Sequence, residues 1–216
     1  MVALWIISMA ATLVVGLLLS RAVTGRLLGI LVDSRRKMSL SRFQVCLWTW
    51  VIGGTLVAVL VDRVPSQGLE SVSVLNGDVL ALMGISLAST GGAALVKGSK
   101  AGKQPDKERI SWEVIRESPT LEGVMPANRT SADASPTDMV KGEGMSDFSH
   151  IDIAKVQMLF FTVVIVAAYV ADLLTSISGP PADFAFPTMP EHLVPLLGFS
   201  HAGYLAAKAA PSTPAR

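Results

Sequence analysis

Charged side chains are scarce in this chain of 216 residues. Asp, Glu, Lys and Arg together make up 16% of the sequence, whereas a typical soluble domain carries about 25%. The formal net charge of +1 lacks the basic excess of nucleic-acid-binding proteins, so we expect no nucleic-acid partner. Hydrophobic residues make up 50% of the chain and the mean hydropathy is +0.51. This composition indicates an integral membrane protein whose surroundings are the lipid bilayer.

Groups that carry out chemistry are equally few. A single cysteine, Cys46, excludes an internal disulfide framework and a cysteine-based zinc site. The sequence contains no His-Glu-x-x-His motif, no glycine-rich phosphate-binding loop and no nucleophile elbow. We therefore expect a protein that is not an enzyme, and we predict no catalytic, cofactor-binding or metal-binding residue.

Five apolar stretches are candidates for crossing the bilayer, which takes about 20 helical residues. Hydrocarbon offers the backbone no hydrogen-bond partner, and continuous apolar runs favour helices over barrel strands. The first stretch has no positive charge before it, so it is predicted to be a retained helix and not a signal peptide. The fifth is short, and taken alone it is also compatible with a re-entrant or interfacial segment. The stretches are residues 2–20, 43–61, 79–96, 156–174 and 193–207.

Lys and Arg are unevenly divided among the connecting segments, and in membrane proteins they collect on the cytosolic side. Segment 62–78 has Arg63 as its only base, and segment 175–192 has none. The pattern predicts an N-terminus outside, a C-terminus in the cytosol and a location in the plasma (inner) membrane. The bases that mark the cytosolic side are Arg21, Arg26, Arg35, Arg36, Lys37, Arg42, Lys97, Lys100, Lys103, Lys107, Arg109, Lys208 and Arg216.

Two parts of the chain resemble each other. Residues 42–49 (RFQVCLWT) align with residues 155–162 (KVQMLFFT), and residues 82–86 (LMGIS) align with residues 196–200 (LLGFS). Because polar Gln, Thr and Ser recur in the same order, chance similarity between apolar helices is a weak explanation. We therefore predict an all-α integral membrane protein with five transmembrane helices, namely one N-terminal helix plus two parallel repeats of a helical hairpin.

This organisation defines five predicted regions. Residues 1–37 form the N-terminal transmembrane helix and a basic cytosolic extension, and residues 38–98 form the first hairpin. Residues 99–150 form a cytosolic and largely disordered loop, since they are rich in Ser, Thr, Pro and Gly and hold few apolar groups. Residues 151–210 form the second hairpin, and residues 211–216 form a cytosolic tail. Within the loop, residues 110–117 are predicted either to dock as a short helix on a partner or to form a transient helix in a linker.

Small residues recur at a spacing of four in the second helix of each predicted hairpin. Such ridges let helix backbones approach closely in lipid, so we predict that they pack against neighbouring helices. We also expect a homo-oligomer, because five short helices with several small faces offer more contact surface than one protomer uses. The predicted packing residues are Gly84, Ala88, Gly92, Gly198, Ala202 and Ala206.

Five polar residues within the predicted spans have two possible roles. They either hydrogen-bond neighbouring helices, which is the commoner use of intramembrane polar groups, or line a conduit. His201 is the one ionisable side chain well inside a span, and such residues are functional candidates by default. The possible conduit lining is Gln44, Gln157, Ser86, Ser200 and His201.

Two functions fit these features. The first is a non-enzymatic membrane scaffold or regulatory subunit, which self-associates and recruits a cytosolic protein through residues 110–147. The alternative is an oligomeric channel for ions or small solutes, lined by the repeat helices that carry Gln and Ser. The scarcity of buried charge, which marks many ion and proton pathways, favours the first.

Overall fold

The computed structural model describes residues 1–68, 75–104, 120–145, 147–180 and 184–210. These ranges contain five α-helices, two short strands and three 3₁₀ turns. The helices are α1 (Val2–Thr24), α2 (Leu40–Gln67), α3 (Gly77–Ala101), α4 (Ile153–Ser178) and α5 (Leu193–Ala209). The strands β1 (Thr120–Glu122) and β2 (Met125–Ala127) form an antiparallel pair. The 3₁₀ turns are Gly29–Leu31, Ser131–Asp133 and Pro136–Met139.

Four of the helices are long and apolar enough to cross a membrane. They are Val2–Thr24, Leu40–Pro65 within α2, Gly77–Ala101 and Ile153–Ser178. The prediction of a helical, membrane-embedded protein is confirmed to this extent. Helix α5 has 17 residues, so the fifth crossing stays a prediction, as does the orientation of the bundle.

Local sequence signals explain where several helices begin and end. Helix α1 ends at Gly25, whose φ of 75° lies in the left-handed region that glycine adopts at helix ends. At the start of α3 the side chain of Asn76 accepts a hydrogen bond from the amide of Val79. At the start of α4 the side chain of Asp152 accepts from two backbone amides. These caps satisfy backbone donors that have no partner within the helix.

The interior of the bundle is formed by one buried stripe from each helix. Helix α1 packs on α2, α2 on α3, and α5 on both α3 and α4. Within the core the rings of Trp48 and Tyr169 meet edge to face, with their centroids 5.8 Å apart. Segment 184–189 covers the core near the C-terminal end of α2, where Phe184 and Phe186 are buried. The bundle therefore has an apolar centre that reaches from α1 to α5.

Helix α1 approaches α2 closely at Gly54. The indole nitrogen of Trp5 donates to Thr55 Oγ1 at 2.9 Å, and that of Trp50 donates to the Met9 carbonyl at 2.9 Å. A Cβ atom added at Gly54 would lie 2.5 Å from the sulfur of Met9, whereas one added at the neighbouring Gly53 would meet nothing within 4 Å. Gly54 therefore keeps the two helices together.

We predict that Gly54→Leu loosens the contact between α1 and α2, because the new side chain must displace Met9. Overpacking of this kind costs about 1–3 kcal/mol, measured as the free energy of unfolding in mixed micelles titrated with SDS. The matched control is Gly53→Leu, whose side chain enters open space. Equal losses in the two variants would contradict the close approach at Gly54.

Residues 120–145 of the predicted loop contain two short strands and two 3₁₀ turns, and the largely disordered character of the loop over residues 99–150 stays a prediction. We call residues 120–145 and 147–152 the cap. Its side chains Met125, Met139 and Met145 are buried, and the amide of Asn128 donates to the Arg35 carbonyl at 3.0 Å. Met139 packs in one buried cluster with Leu40 and Met158 of the bundle, so the cap rests on the helices through an apolar contact. Segment 110–117, with its predicted short helix, lies outside the described residues.

Candidate functional site

A buried carboxylate joins the cap to the bundle. Arg35 Nη2 lies 3.3 Å and Lys155 Nζ 3.0 Å from Glu143 Oε1, and Lys208 Nζ donates to both carboxylate oxygens. We call these four residues the Glu143 cluster. Arg35 precedes α2, Lys155 opens α4, and Lys208 lies in the last turn of α5. One carboxylate therefore connects two helices and two connecting segments.

Electrostatics keep Glu143 ionised. Burial on its own raises the pKa of this carboxyl, but the charges of Arg35, Lys208 and Lys155 outweigh it and hold the pKa well below its ordinary value. The pKa of Arg35 is raised: its own burial opposes the charge, and the two carboxylates, Glu143 and Asp33, more than compensate. Glu143 and Arg35 are therefore both charged within this buried network.

A second buried carboxylate, Asp33, lies beside the cluster. Lys97 Nζ is 2.6 Å and Arg35 Nη2 3.0 Å from Asp33 Oδ2, and the Arg35 amide donates to Oδ1 at 3.0 Å. Burial raises the pKa of Asp33, whereas the charges of Arg35 and Lys97 lower it and prevail. Because Arg35 contacts both carboxylates, the two sites form one network at this end of the bundle. We call this end of the bundle the basic end, after the bases Arg35, Arg42, Lys97, Lys155 and Lys208.

Short backbone pairings position both carboxylates. Before α2, the amide of Asp33 donates to the Lys37 carbonyl at 2.8 Å, and before α4 the amide of Gly142 donates to the His150 carbonyl at 3.1 Å. A Cβ atom on Gly142 would lie 2.3 Å from the Asp147 carbonyl oxygen, so this turn excludes other residues. Both α2 and α4 are thus preceded by a loop that folds back and carries a buried acid.

Within the bundle, a second group of polar side chains lies at a similar depth. The side-chain amide of Gln44 donates to Thr162 Oγ1. Two contacts show that residues of α3 and α5 lie at the same depth as the start of α2. Thr90 Oγ1 of α3 donates to the Ser41 carbonyl of α2 at 3.1 Å, and a Cβ atom on Gly198 of α5 would lie 3.8 Å from Ile85 of α3. We call the group the polar layer; it comprises Gln44, Thr162, Ser86, Ser89, Ser200 and His201.

Most of the polar layer lacks partners among the described residues. The hydroxyls of the three serines, both ring nitrogens of His201 and Oε1 of Gln44 make no hydrogen bond there. Burying such groups without a partner costs free energy, and buried polar groups are commonly paired through water. A water molecule or a small polar solute in this layer would supply hydrogen bonds that these groups lack among the described residues.

The structure places the predicted conduit residues unequally. Gln44, Ser86, Ser200 and His201 are all buried in the polar layer, whereas Gln157 is exposed on the outer face of α4. Gln44 and Gln157 are thus not brought together within one protomer. The residue of α4 that faces inward at this level is the neighbouring Met158.

The predicted packing ridges are mostly turned outward. A Cβ atom on Gly92 would lie 3.0 Å from Leu205, and one on Gly198 would lie 3.8 Å from Ile85, so these two glycines do face a neighbouring helix. The other four are exposed, and their packing against other helices stays a prediction. Those four are Gly84, Ala88, Ala202 and Ala206. Buried serines and larger side chains fill the contact between α3 and α5 instead.

Sequence reasoning did not assign Glu143, Arg35 or Asp33 to a site. Asp33 stood out only as the one acid of a basic segment, and Glu143 as one of many acids in the loop. A usable signal was present in both cases. Glu143 lies between Gly142 and Gly144, which leave the backbone free to turn tightly, and a lone acid among bases is a natural counter-ion.

Comparisons of the chain with models of known protein families, with curated proteins and with solved structures found no match. Among the described residues, no three His, Cys, Asp or Glu side chains come together as a metal site would require. Functional inference for this chain therefore rests on the geometry of the basic end and of the polar layer.

Proposed function

We propose that the chain is a non-enzymatic membrane scaffold or regulatory subunit whose cap presents a fixed surface to a protein partner. The observation that carries this proposal is the attachment of the cap: Glu143 lies among three cations from the bundle. The outward side of the cap is exposed at Arg129, Asp133 and Thr137. A platform held in this way presents those side chains in one arrangement, which lowers the entropic cost of binding.

The proposed topology has five crossings, with the N-terminus outside and the cap in the cytosol. Helix α5 runs beside α3 over the same depth, since Gly198 lies against Ile85 and Leu205 against Gly92. Its Lys208 reaches the basic end, where bases from the other helices also lie. These contacts support α5 as the fifth crossing, and the collection of bases at one end supports the orientation.

The proposed duplication extends into the loops before the helices. An isolated antiparallel bridge precedes both α2 and α4. It joins Val32 to Met38 before α2 and Lys141 to Ile151 before α4. A 3₁₀ turn lies immediately before each bridge. This likeness supports a repeat unit that comprises a turn, a bridge and a helical hairpin.

Self-association in the plasma (inner) membrane is part of the same proposal. A protein that runs as a lone monomer in mild detergent would count against it.

Photo-cross-linking in the native membrane tests the scaffold role. A photoreactive residue at Asp133 or at Thr137 on the cap is expected to give one adduct of fixed mass with a second, different protein. The control position is Leu80 near the start of α3, which is 60% exposed and lies at the other end of that helix from Lys97 and the basic end. Identical adducts from Leu80, or adducts with this chain alone, would exclude a partner bound through the cap. Substitution is preferable to deleting residues 110–147, because that deletion also removes Glu143.

A conduit for water or small polar solutes is the second candidate, and the polar layer favours it. The two aligned glutamines provide a matched pair of variants, since Gln44 is buried and Gln157 is exposed. If the layer lines a path, Gln44→Leu changes the permeability of proteoliposomes and Gln157→Leu does not. Equal permeability in both variants and in the parent protein would rule out this lining.

A further inference from the structure

A cleft of about 280 Å³ opens at the basic end, between the start of α2 and the end of α3. Its walls combine hydroxyl groups, charged groups and, on the α3 side, small residues. Both helices enter the apolar part of the bundle from here, so the cleft lies where lipid headgroups meet the protein. The lining residues are Asp33, Ser34, Ser39, Ser41, Arg42, Thr90, Ala94, Lys97, Gly98, Ala101 and Glu122.

Among the charged residues that line the cleft, the cation Arg42 and the carboxylate Glu122 are the two that a ligand can contact. Asp33 and Lys97 pair with each other at 2.6 Å. Arg42 is held at the exposed rim by hydrogen bonds from Nη1 to the carbonyls of Ile30 and Val32. A guanidinium has five N–H donors, so Arg42 can donate further bonds into the cleft. Glu122 supplies the carboxylate from strand β1.

An apolar path leads from the cleft along the outer face of α3. Gly84, Gly91 and Gly98 recur at a spacing of seven, which keeps them on one side of the helix. A Cβ atom on any of the three would meet nothing within 4 Å. Leu87 and Leu95 stand beside this stripe and are 57% and 78% exposed. The stripe is a shallow groove that continues into the cleft at Ala94 and Gly98.

We propose that the cleft binds a glycerophospholipid whose zwitterionic headgroup ends in a primary ammonium group, as in phosphatidylethanolamine. The phosphate accepts hydrogen bonds from Arg42 and from the exposed Ser34 hydroxyl, and the ammonium group donates to Glu122. One acyl chain lies along the glycine stripe of α3. A choline headgroup has no N–H to donate to Glu122, and an anionic headgroup brings no cation to it. This site is independent of whether the protein is a scaffold or a conduit.

Native mass spectrometry of the purified full chain tests the site, with phosphatidylethanolamine, phosphatidylcholine and phosphatidylglycerol of identical acyl chains. We expect phosphatidylethanolamine to bind at least about tenfold more tightly than either of the others. Glu122→Gln is expected to abolish that preference, and Arg42→Gln to weaken all three lipids. Equal binding of the three lipids, or a preference for phosphatidylglycerol, would overturn the proposal, as would an unchanged preference in Glu122→Gln.

Two further arms separate the cleft from adventitious lipid and from a soluble ligand. Ala94→Phe fills the cleft and is expected to abolish binding, whereas Ala11→Phe on the exposed face of α1 is expected to leave it unchanged. Glycerophosphoethanolamine, which lacks acyl chains, is expected not to compete with the lipid. Competition at similar concentration would assign the cleft to a soluble phosphoethanolamine compound and reject the lipid. Unchanged binding in Ala94→Phe would place the lipid elsewhere.

Discussion

Glu143→Gln is expected to lower the free energy of unfolding by about 3–5 kcal/mol, the usual cost of removing one partner from a buried ionic network. The substitution keeps the size of the side chain and removes its charge. Lys155 and Lys208, which are 3% and 5% exposed, then repel each other and Arg35 without a counter-ion. The measurement is unfolding in mixed micelles titrated with SDS, followed by helical circular dichroism.

Two control variants test whether the loss of stability in Glu143→Gln comes from the Glu143 cluster. Glu191→Gln changes an exposed carboxylate at the other end of the bundle, and such surface substitutions stay within about 0.5 kcal/mol. The double variant Glu143→Gln/Lys208→Gln removes a cation together with the acid, so we expect it to recover part of the loss. A loss in Glu143→Gln no larger than in Glu191→Gln would mean that the cluster does not hold the cap.

The helices were predictable because their signal lies in the sequence itself. A span of hydrocarbon requires a continuous apolar run, and the four helices able to cross contain the runs that begin near residues 2, 43, 79 and 156. Their bounds extend further than the apolar runs by up to two turns. Caps such as Asn76 and Asp152 set those bounds, and a hydropathy pattern does not register them.

The ionic network was not predictable from composition, because its partners are far apart in the chain. Glu143 lies 65 positions from Lys208, and Asp33 lies 64 positions from Lys97. A segment rich in acids and in Ser, Thr, Pro and Gly resembles a disordered linker when it is considered alone. The contacts that the cap makes come from elsewhere in the chain, since the bundle supplies three cations to Glu143 and an apolar surface to Met139.

The glutamines show that two positions aligned in sequence can lie on different surfaces. Gln44 and Gln157 match in sequence, yet α2 buries Gln44 whereas α4 buries Met158, one position further on. A displacement of one residue turns a helix by about 100°, which is enough to move a side chain from the interior to lipid. Rotation about a helix axis depends on neighbouring helices, and the sequence of one helix does not specify it.

Acid is expected to weaken the protein through the same two carboxylates. The folded-state pKa values of Glu143 and Asp33 lie below their ordinary values of 4.5 and 3.8. The unfolded chain therefore binds more protons in this range, so stability rises with pH. Their contribution is fully present at neutral pH and is lost as the pH falls below the ordinary values and through the folded-state ones.

The free energy of unfolding, measured from about pH 7 to about pH 3, checks this dependence. The parent protein is expected to lose stability steeply below about pH 5, whereas Glu143→Gln follows a flatter curve because its network has no carboxylate left to protonate at that position. Asp33→Asn, which removes the other carboxylate, is expected to flatten the curve to a smaller extent, since fewer cations surround Asp33. Parallel curves for the parent protein and Glu143→Gln would show that protonation of Glu143 does not control the stability of the basic end, and would assign the acid response to carboxylates outside the network.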